Sequence, residues 1–442
     1  MKFIHTADLH LDSPFLGLTS MPKSLWERVH SSTFAAFQKI VDDAVDLKVD
    51  FILISGDIYD RDQQSIVATD FFIKQCERLN QAHIPVYLLY GNHDYQIVQD
   101  TGELPANVHV FGNRVTTTTL TLANHDSVAI SGFSYDQRWI QEDQVQKYPP
   151  KRNETWHIGM LHGAVRQSQD NHYAPFTIDE LIAKNYDYWA LGHIHKHQLL
   201  NENPPIVYSG NPQGRHKNEA GQHGYYLVES QGNKLVPQFK PVAEIEWTSL
   251  TVNALSTSNL VEMEQYLSQA IDGKLKNAPF QLVELTIANI EQLSPTIRHL
   301  LANGDVLEHL QGQNIDNGKW WIYDLLLHQQ NSLPSMTDLD EQYWQQAAQE
   351  VFTPANIAEL TKSLARDADL AAKLTNLDLQ QLKQATTQLL RREDQKMKIK
   401  KAHIDGFGKW HDQDFDFTAN PQIIYGPNEA GKTTLMAFLV SI

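Results

Sequence analysis

Residues 51–60, Phe-Ile-Leu-Ile-Ser-Gly-Asp-Ile-Tyr-Asp, decide how this chain folds. A short apolar run of this kind suits a strand buried on both faces, and a Gly-Asp pair follows it at once. The same pattern recurs along the first half of the chain. Asp8-Leu9-His10 follows Phe3–Thr6, and Gly91-Asn92-His93-Asp94 follows Val86–Tyr90. Ile158–Leu161 leads into His162-Gly163, and Tyr188–Leu191 into Gly192-His193-Ile194-His195. Val128–Ser131, Ile206–Tyr208 and Tyr225–Val228 also read as strands. Leu25–Leu47 and Ser65–Gln81 show helical spacing, for instance Phe34, Phe37, Val41, Val45. Strand–helix–strand order predicts parallel pairing with right-handed crossovers. The later strands lie closer together, with Asn, Gly and Pro between them, which predicts antiparallel pairs. The reading is a layered α/β sheet.

The chain has 442 residues, which suggests two to four domains at roughly 100 to 200 residues each. Hydrophobic residues make up 41% and charged residues 20%, so a folded core is expected. No apolar run approaches the roughly 20 residues of a membrane span. The amino terminus lacks the pattern of a signal peptide, and Cys76 is the sole cysteine, so no internal disulfide forms. These features predict a cytoplasmic protein with no membrane association. A net charge of −17 argues against a protein that coats nucleic acid through its overall field, while leaving room for a local cleft. Of 20 histidines, 15 precede residue 225.

Further along, Ile245–Val252 and Phe280–Ile287 read as strands flanking a helix, Asn259–Ile271, in a small α+β unit. Helical pattern runs from Asp338 to Arg392 and is followed by a basic cluster from Arg391 to Lys401. Met397–Trp410 then reads as a strand and turn, and Gln422–Tyr425 as a buried strand. The expected domains are 1–245, 246–335, 336–396 and 397–442.

In open α/β sheets ligands bind beyond the carboxyl ends of the strands, where all five polar clusters fall. Oxygen and imidazole donors without thiolates suit a first-row divalent cation, Mn²⁺, Fe²⁺ or Zn²⁺. Two cations bridged by one carboxylate would hold a phosphate for in-line displacement and acidify a water toward pKa about 7. His93 and Asp94, next to Asn92, offer a cationic acid and a carboxylate to orient it. His5 reads as a core histidine and Cys76 as a core residue. The loop Ser209–His216 reads equally as a substrate contact or a plain turn.

DxH, GD, GNHD, LHG and GHxH, in this order, resemble the five motifs of the calcineurin-like metallophosphoesterases. The contexts HTADLHLDSPF, GDIYD and LYGNHD are similar to the DNA-repair branch, the SbcD nuclease subunits and their YhaO-type relatives. The resemblance covers roughly residues 1–240 strongly and the next domain weakly. It implies a layered αββα sandwich with a small α+β cap and a helical carboxy-terminal extension. It further implies that one metal takes Asp8, His10, Asp57 and His195, and the other Asp57, Asn92, His162 and His193, with Asp57 bridging and Mn²⁺ the first choice. His93 would meet the scissile phosphate, oriented by Asp94. Some relatives place a histidine three positions after the bridging aspartate, where this chain has Asp60.

Gly426-Pro427-Asn428-Glu429-Ala430-Gly431-Lys432-Thr433 fits the phosphate-binding P-loop, between an apolar strand and the helical Thr434–Leu439. Gly426, Asn428, Gly431 and Thr434 would shape and continue the loop, Lys432 would reach phosphates and Thr433 would ligate Mg²⁺. The segment from Met397 resembles the start of an SMC/SbcC-type (YhaN-type) ATPase whose remaining motifs are missing. ATP and Mg²⁺ are therefore expected only if another ATPase chain completes the tail. A natural fusion cut short, two adjacent genes read through a shifted frame and a deliberately engineered junction compete for this tail. The internal Met397 favours an adjacent gene's start lying in frame, with a stray fragment without function as an even alternative to a functional tail. Relatives dock their ATPase through a helical segment, which Asp338–Arg392 matches, a plain helical appendage being the alternative.

The leading expectation is a Mn²⁺-dependent DNA exonuclease, 3′→5′ with some endonuclease activity, acting on DNA ends with an SMC-like ATPase. Its DNA affinity alone is expected to be weak and to improve with that partner or with homodimerisation. A dimetal phosphodiesterase or phosphatase on nucleotides or phosphoproteins is the alternative within enzymes, and a non-catalytic scaffold for the ATPase the alternative outside them.

Overall fold

The fold is described from a computed structural model. It describes residues 1–328 apart from 16–17, 19–20, 61–64, 96–103, 167–171, 258, 276–278 and 315–318, and beyond these residue 353 and two short strands, 401–404 and 413–416. Apart from residue 353, the helical segment Asp338–Arg392 lies outside the described residues, as do the P-loop residues Gly426, Asn428, Gly431, Lys432, Thr433 and Thr434. The chain divides into two compact units, Met1–Ser332 and Leu333–Ile442.

The first unit opens with β1 (Lys2–Thr6), α1 (Lys23–His30), α2 (Ser32–Asp46), β2 (Phe51–Ser55), α3 (Ile66–Gln81) and β3 (Val86–Leu89). Next come β4 (Val108–Val110), β5 (Thr116–Thr121), β6 (Ser127–Gly132), β7 (Trp156–His162), α4 (Ile178–Ala183) and β8 (Tyr188–Gly192). β9 (Gln198–Glu202), β10 (Pro205–Tyr208), β11 (Gly224–Gln231) and β12 (Lys234–Pro241) follow. These strands form two six-stranded sheets, ordered β12-β11-β1-β2-β3-β4 and β5-β6-β7-β8-β10-β9.

Period-two alternation sorts the strand side chains into layers. Phe3, Phe51, Leu53, Tyr87 and Leu89 of one sheet meet Val128, Ile130, Ile158, Met160 and Tyr188 of the other. Their neighbours Ile4, Ile52, Ile54, Val86 and Leu88 face outward onto Phe37, Ile40 and Val41 of α2 and Phe72, Cys76 and Leu79 of α3. The outer face of the second sheet, through Leu161, Trp189, Leu191 and Ile206, is covered by Phe133, Tyr148, Leu181 and Tyr186. This is the expected layered α/β sandwich.

Some expectations need correction. Leu25–Leu47 is two helices, because Ser31 Oγ and Ser32 Oγ donate back to the carbonyls of Arg28 (3.2 Å) and Val29 (2.6 Å) and weaken the ladder there. β8 and β10 pair in parallel, not antiparallel; β9 reverses the chain between them and takes the edge beside β10. β11 does lie antiparallel to β1.

The region after residue 245 contains β13 (Ile245–Asn253), α5 (Leu260–Lys274), β14 (Phe280–Ala288), α6 (Pro295–Ala302), α7 (Asp305–Asn314) and β15 (Trp320–His328). Its three strands run parallel in chain order, with helices in the crossovers. Met263, Leu267, Ile271, Ile297, Leu301 and Leu310 pack on Val283, Leu285 and Ile322. A second cluster joins this cap to the sandwich, with Phe15, Leu18 and Val29 against Ile245, Trp247, Phe280 and Trp321. In the second unit, β16 (Lys401–Ile404) and β17 (Gln413–Asp416) pair antiparallel. No helix among the described residues is long and apolar enough to cross a membrane.

At one end of the sandwich the apolar layer between the sheets gives way to polar links. His5 on β1 donates through Nε2 to the Leu191 carbonyl (3.2 Å) and accepts at Nδ1 from Tyr188 Oη (3.0 Å). Ser55 Oγ donates to the Ala190 carbonyl at 3.0 Å. Burial pushes the His5 imidazole down to about 3, so it folds neutral. Unfolded chains bind a proton at this residue below about pH 6.5, and the native fold does so only below about 3. His5→Gln, with metal chelated, is therefore expected to be less stable than the parent at pH 7. The gap should narrow by at most about 1.4 kcal/mol per pH unit as pH falls through that window. Urea unfolding at pH 7 and pH 5 measures this, and a gap that does not narrow contradicts a neutral His5.

Candidate metal centre

Three adjacent parallel strands of the first sheet and two of the second point their carboxyl ends at one place. β1, β2 and β3 deliver Asp8 and His10, Asp57, and Asn92 to Asp94. β7 ends on His162, and β8 runs directly into His193 and His195. The segments after β1 and β2 stay paired beyond the strands, with the N–H groups of Asp8 and His10 donating to the carbonyls of Gly56 (2.9 Å) and Asp57 (3.1 Å). That pairing sets Asp8 and His10 beside Asp57.

The turns are tight. Asp8, His10, Asp57 and His193 all have positive φ (52°, 43°, 52° and 98°), a region costly for side-chain-bearing residues and found where function demands it. Glycines make the close approach. A Cβ on Gly91 would strike the Asp57 carboxylate, and one on Gly192 the Ser55 carbonyl and the His162 ring.

The side chains form two groups. Asp8, His10 and His195 converge in one, and Asp57, His162 and His193 in the other. Asn92 Oδ1 joins the second group, 3.0 Å from His162 Nε2 and 3.1 Å from His193 Nδ1. Asp57 Oδ2 stands between the groups, 3.4 Å from His162 Nε2 and 3.9 Å from His10 Nε2. All seven ligands expected from the sequence are thus brought together.

The donor chemistry fits divalent cations. His162 Nδ1 donates to the Ser55 carbonyl at 2.9 Å, because a carbonyl can only accept. In the neutral ring Nε2 then carries a lone pair, aimed at an amide oxygen and a carboxylate. In the other group the Nε2 atoms of His10 and His195 face each other at 3.1 Å. Converging lone pairs of this kind are resolved by a cation. Burial and neighbouring positive charge pull His10 down to about 3, and burial and the His162 charge do the same to His193, leaving both rings as neutral ligands. Burial opposes charging of His162, yet Asp57 and Asp8 raise it to about 9. Burial also raises Asp8 to about 6. Asp57 stays well below the usual carboxylate range despite its burial, held there by His162 and His10.

One role is corrected. Asp94 does not orient the His93 ring. It is fully buried, and its carboxylate accepts the backbone N–H groups of Ile58 (3.0 Å), Tyr59 (3.1 Å) and Gly91 (3.2 Å), tying together the turns after β2 and β3. Burial, reinforced by Asp57, lifts its pKa to about 7. His93 is held instead through Nδ1 by the Asp60 carbonyl (3.1 Å) and through its backbone N–H by Asp57 Oδ1 (3.0 Å).

The sequence reading missed Glu219. It accepts from His195 Nδ1 at 2.6 Å and also from the Arg215 N–H (2.7 Å) and Asn211 Nδ2 (2.9 Å). Arg215 bridges to Asp60, whose Oδ1 lies 3.3 Å from His10 Nδ1. The loop Ser209–His216 stands out in the sequence, but Glu219 lies just past it in a stretch with no motif of its own. Gln213 and Gly214 of this loop also bond the cap, at Ile245 and Trp247.

Comparison with known proteins places these features in context. The calcineurin-like phosphoesterase family matches residues 1–197, and an AAA domain family matches residues 401–441. A Bacillus subtilis protein named "Uncharacterized metallophosphoesterase YhaO" is 38% identical over 315 residues, 70% of this chain and 73% of that one. The "DNA double-strand break repair protein Mre11" of Methanocaldococcus jannaschii is 24% identical over 299 residues, 63% of this chain and 75% of its own. A stretch of 47 residues, 10% of this chain, is 51% identical to 5% of the B. subtilis "Uncharacterized protein YhaN".

If Asp57 joins both groups, its loss should disturb both. Chelator-stripped protein reloaded with Mn²⁺ is expected to retain about two ions per chain, and Asp57→Ala fewer than one, by elemental analysis after gel filtration. Two retained ions in Asp57→Ala would contradict the bridging position.

Proposed function

Since the chain belongs to the calcineurin-like metallophosphoesterases, a family of dimetal phosphoester hydrolases, we propose that it is a Mn²⁺-dependent DNA nuclease subunit. It trims DNA ends in the 3′→5′ direction, with some endonuclease activity, in company with an SMC-like ATPase in DNA repair. The observation that carries the reading is the pair of ligand groups meeting on Asp57. Further support comes from the relatives named for double-strand break repair and from the cap packed against the sandwich. The similarity of the tail to YhaN supports the ATPase partner.

When bound, two divalent cations would neutralise charge on the phosphoryl oxygens and acidify an attacking water. The remaining work falls to side chains. Asp57 spans the two groups and also fixes the His93 backbone. His93 Nδ1–H is committed to the Asp60 carbonyl, so Nε2 is the nitrogen through which His93 gives a proton to the departing oxygen. Asp94 keeps the two turns that carry Asp57 and His93 in register.

The net charge of −17 favours a second reading, hydrolysis of small phosphodiesters without extended contact to a polyanion. The two separate on end-labelled linear duplex DNA incubated with Mn²⁺, Mg²⁺ or chelator. Shortening with Mn²⁺ is expected, reduced about 10²- to 10⁴-fold in His93→Ala, as for loss of a general acid. Intact DNA alongside cleavage of bis(p-nitrophenyl) phosphate supports the small-diester reading instead.

A further inference from the structure

The two ligand groups are backed differently. Behind His162 lies the neutral carbonyl of Ser55, at 2.9 Å from Nδ1. The His193 ring is backed by a tilted aromatic contact with Tyr173, centroids 4.4 Å apart. Behind His195 and His10 stand carboxylates. Glu219 Oε1 is 2.6 Å from His195 Nδ1, and Asp60 Oδ1 is 3.3 Å from His10 Nδ1. Arg215 closes the arrangement by pairing with Asp60 on one side and reaching Glu219 Oε1 (3.4 Å) and His195 Nδ1 (3.2 Å) on the other. The three side chains are 8–14% exposed, so water screens this clamp weakly.

Two carboxylates against one guanidinium leave a net negative charge behind the first pair of imidazoles. A carboxylate on the far nitrogen fixes the tautomer and orientation of a ligand histidine and raises its basicity. The clamp also has a reason to be rigid. Glu219 is held from its own loop by the Arg215 N–H and Asn211, and that loop is bonded to the cap through Gln213 and Trp247. Arg215 pairs with both carboxylates on the far side of the imidazoles, where Glu219 accepts from His195 and Asp60 contacts His10.

We propose that Asp60, Arg215 and Glu219 form a positioning clamp that makes the two cation sites unequal. The site of Asp8, His10 and His195 then binds tightly, and the site of Asn92, His162 and His193 is the exchangeable one. This rests on the dimetal reading above and adds an order of loading to it.

The test is calorimetric titration of the chelator-stripped full chain with Mn²⁺, with free Mn²⁺ followed by electron paramagnetic resonance. Two resolved uptake steps are expected. Glu219→Gln and Asp60→Asn should each weaken the tighter step by about 10- to 100-fold and leave the weaker step in place. Asn92→Ala should do the reverse. If Glu219→Gln lowers the melting temperature of the metal-free protein, Asp60→Asn at the other end of the clamp carries the test. Equal effects on both steps, an effect on the weaker step alone, or no effect overturns the clamp. Absence of any Mn²⁺ uptake by the parent chain overturns the dimetal reading itself, and the clamp with it.

Discussion

Everything at the site depends on how the two sheets meet at the carboxyl ends of their central strands. Over most of the interface the contact is apolar, with Phe3, stacked on its sheet neighbour Phe51 at 4.9 Å, meeting Tyr188 of the other sheet edge-on at 5.4 Å. At the functional end it becomes a seam of directed hydrogen bonds, from His5, Ser55 and His162 to backbone carbonyls and from Tyr188 Oη to His5. Apolar packing tolerates sliding, whereas directed bonds fix register. The seam therefore sets the spacing between ligands from different sheets.

Conformational strain is concentrated in the same place. Four ligand residues occupy left-handed backbone conformations that an unconstrained chain would leave. They persist because the turns are bonded to one another, as when Asp94 gathers three N–H groups from two loops. A buried carboxylate with its pKa raised to about 7 is an expensive tie, and its value lies in the geometry it imposes.

The strands legible in the sequence and those that were not differ in a simple physical way. Every apolar run in the sandwich became a strand with neighbours on both sides, where burial on both faces selects continuous apolar sequence. The four missed strands, β4, β5, β9 and β12, are the four sheet edges. Their sequences, such as Thr116–Thr121, are polar enough to face water and need only one neighbour. In the cap, α6, α7 and β15 went unread because they follow no motif, and their apolar residues find partners only in a core shared with β14 and α5.

The sequence by itself picked out the candidate ligands, because each sits in a short motif directly after an apolar run and strand ends are where an α/β sheet gathers its chemistry. It also carried the family, since residue order within those motifs survives in the chain as written. Tertiary structure alone decided which groups stand behind the ligands. Asp60 lies far in sequence from Arg215 and Glu219, which share one loop, and it meets them only when that loop, following β10, is brought beside the turn after β2. It also decided that Asp94 serves the backbone and Asp60 holds His93. Adjacency in sequence puts two residues on one turn, but the fold chooses which atoms they face.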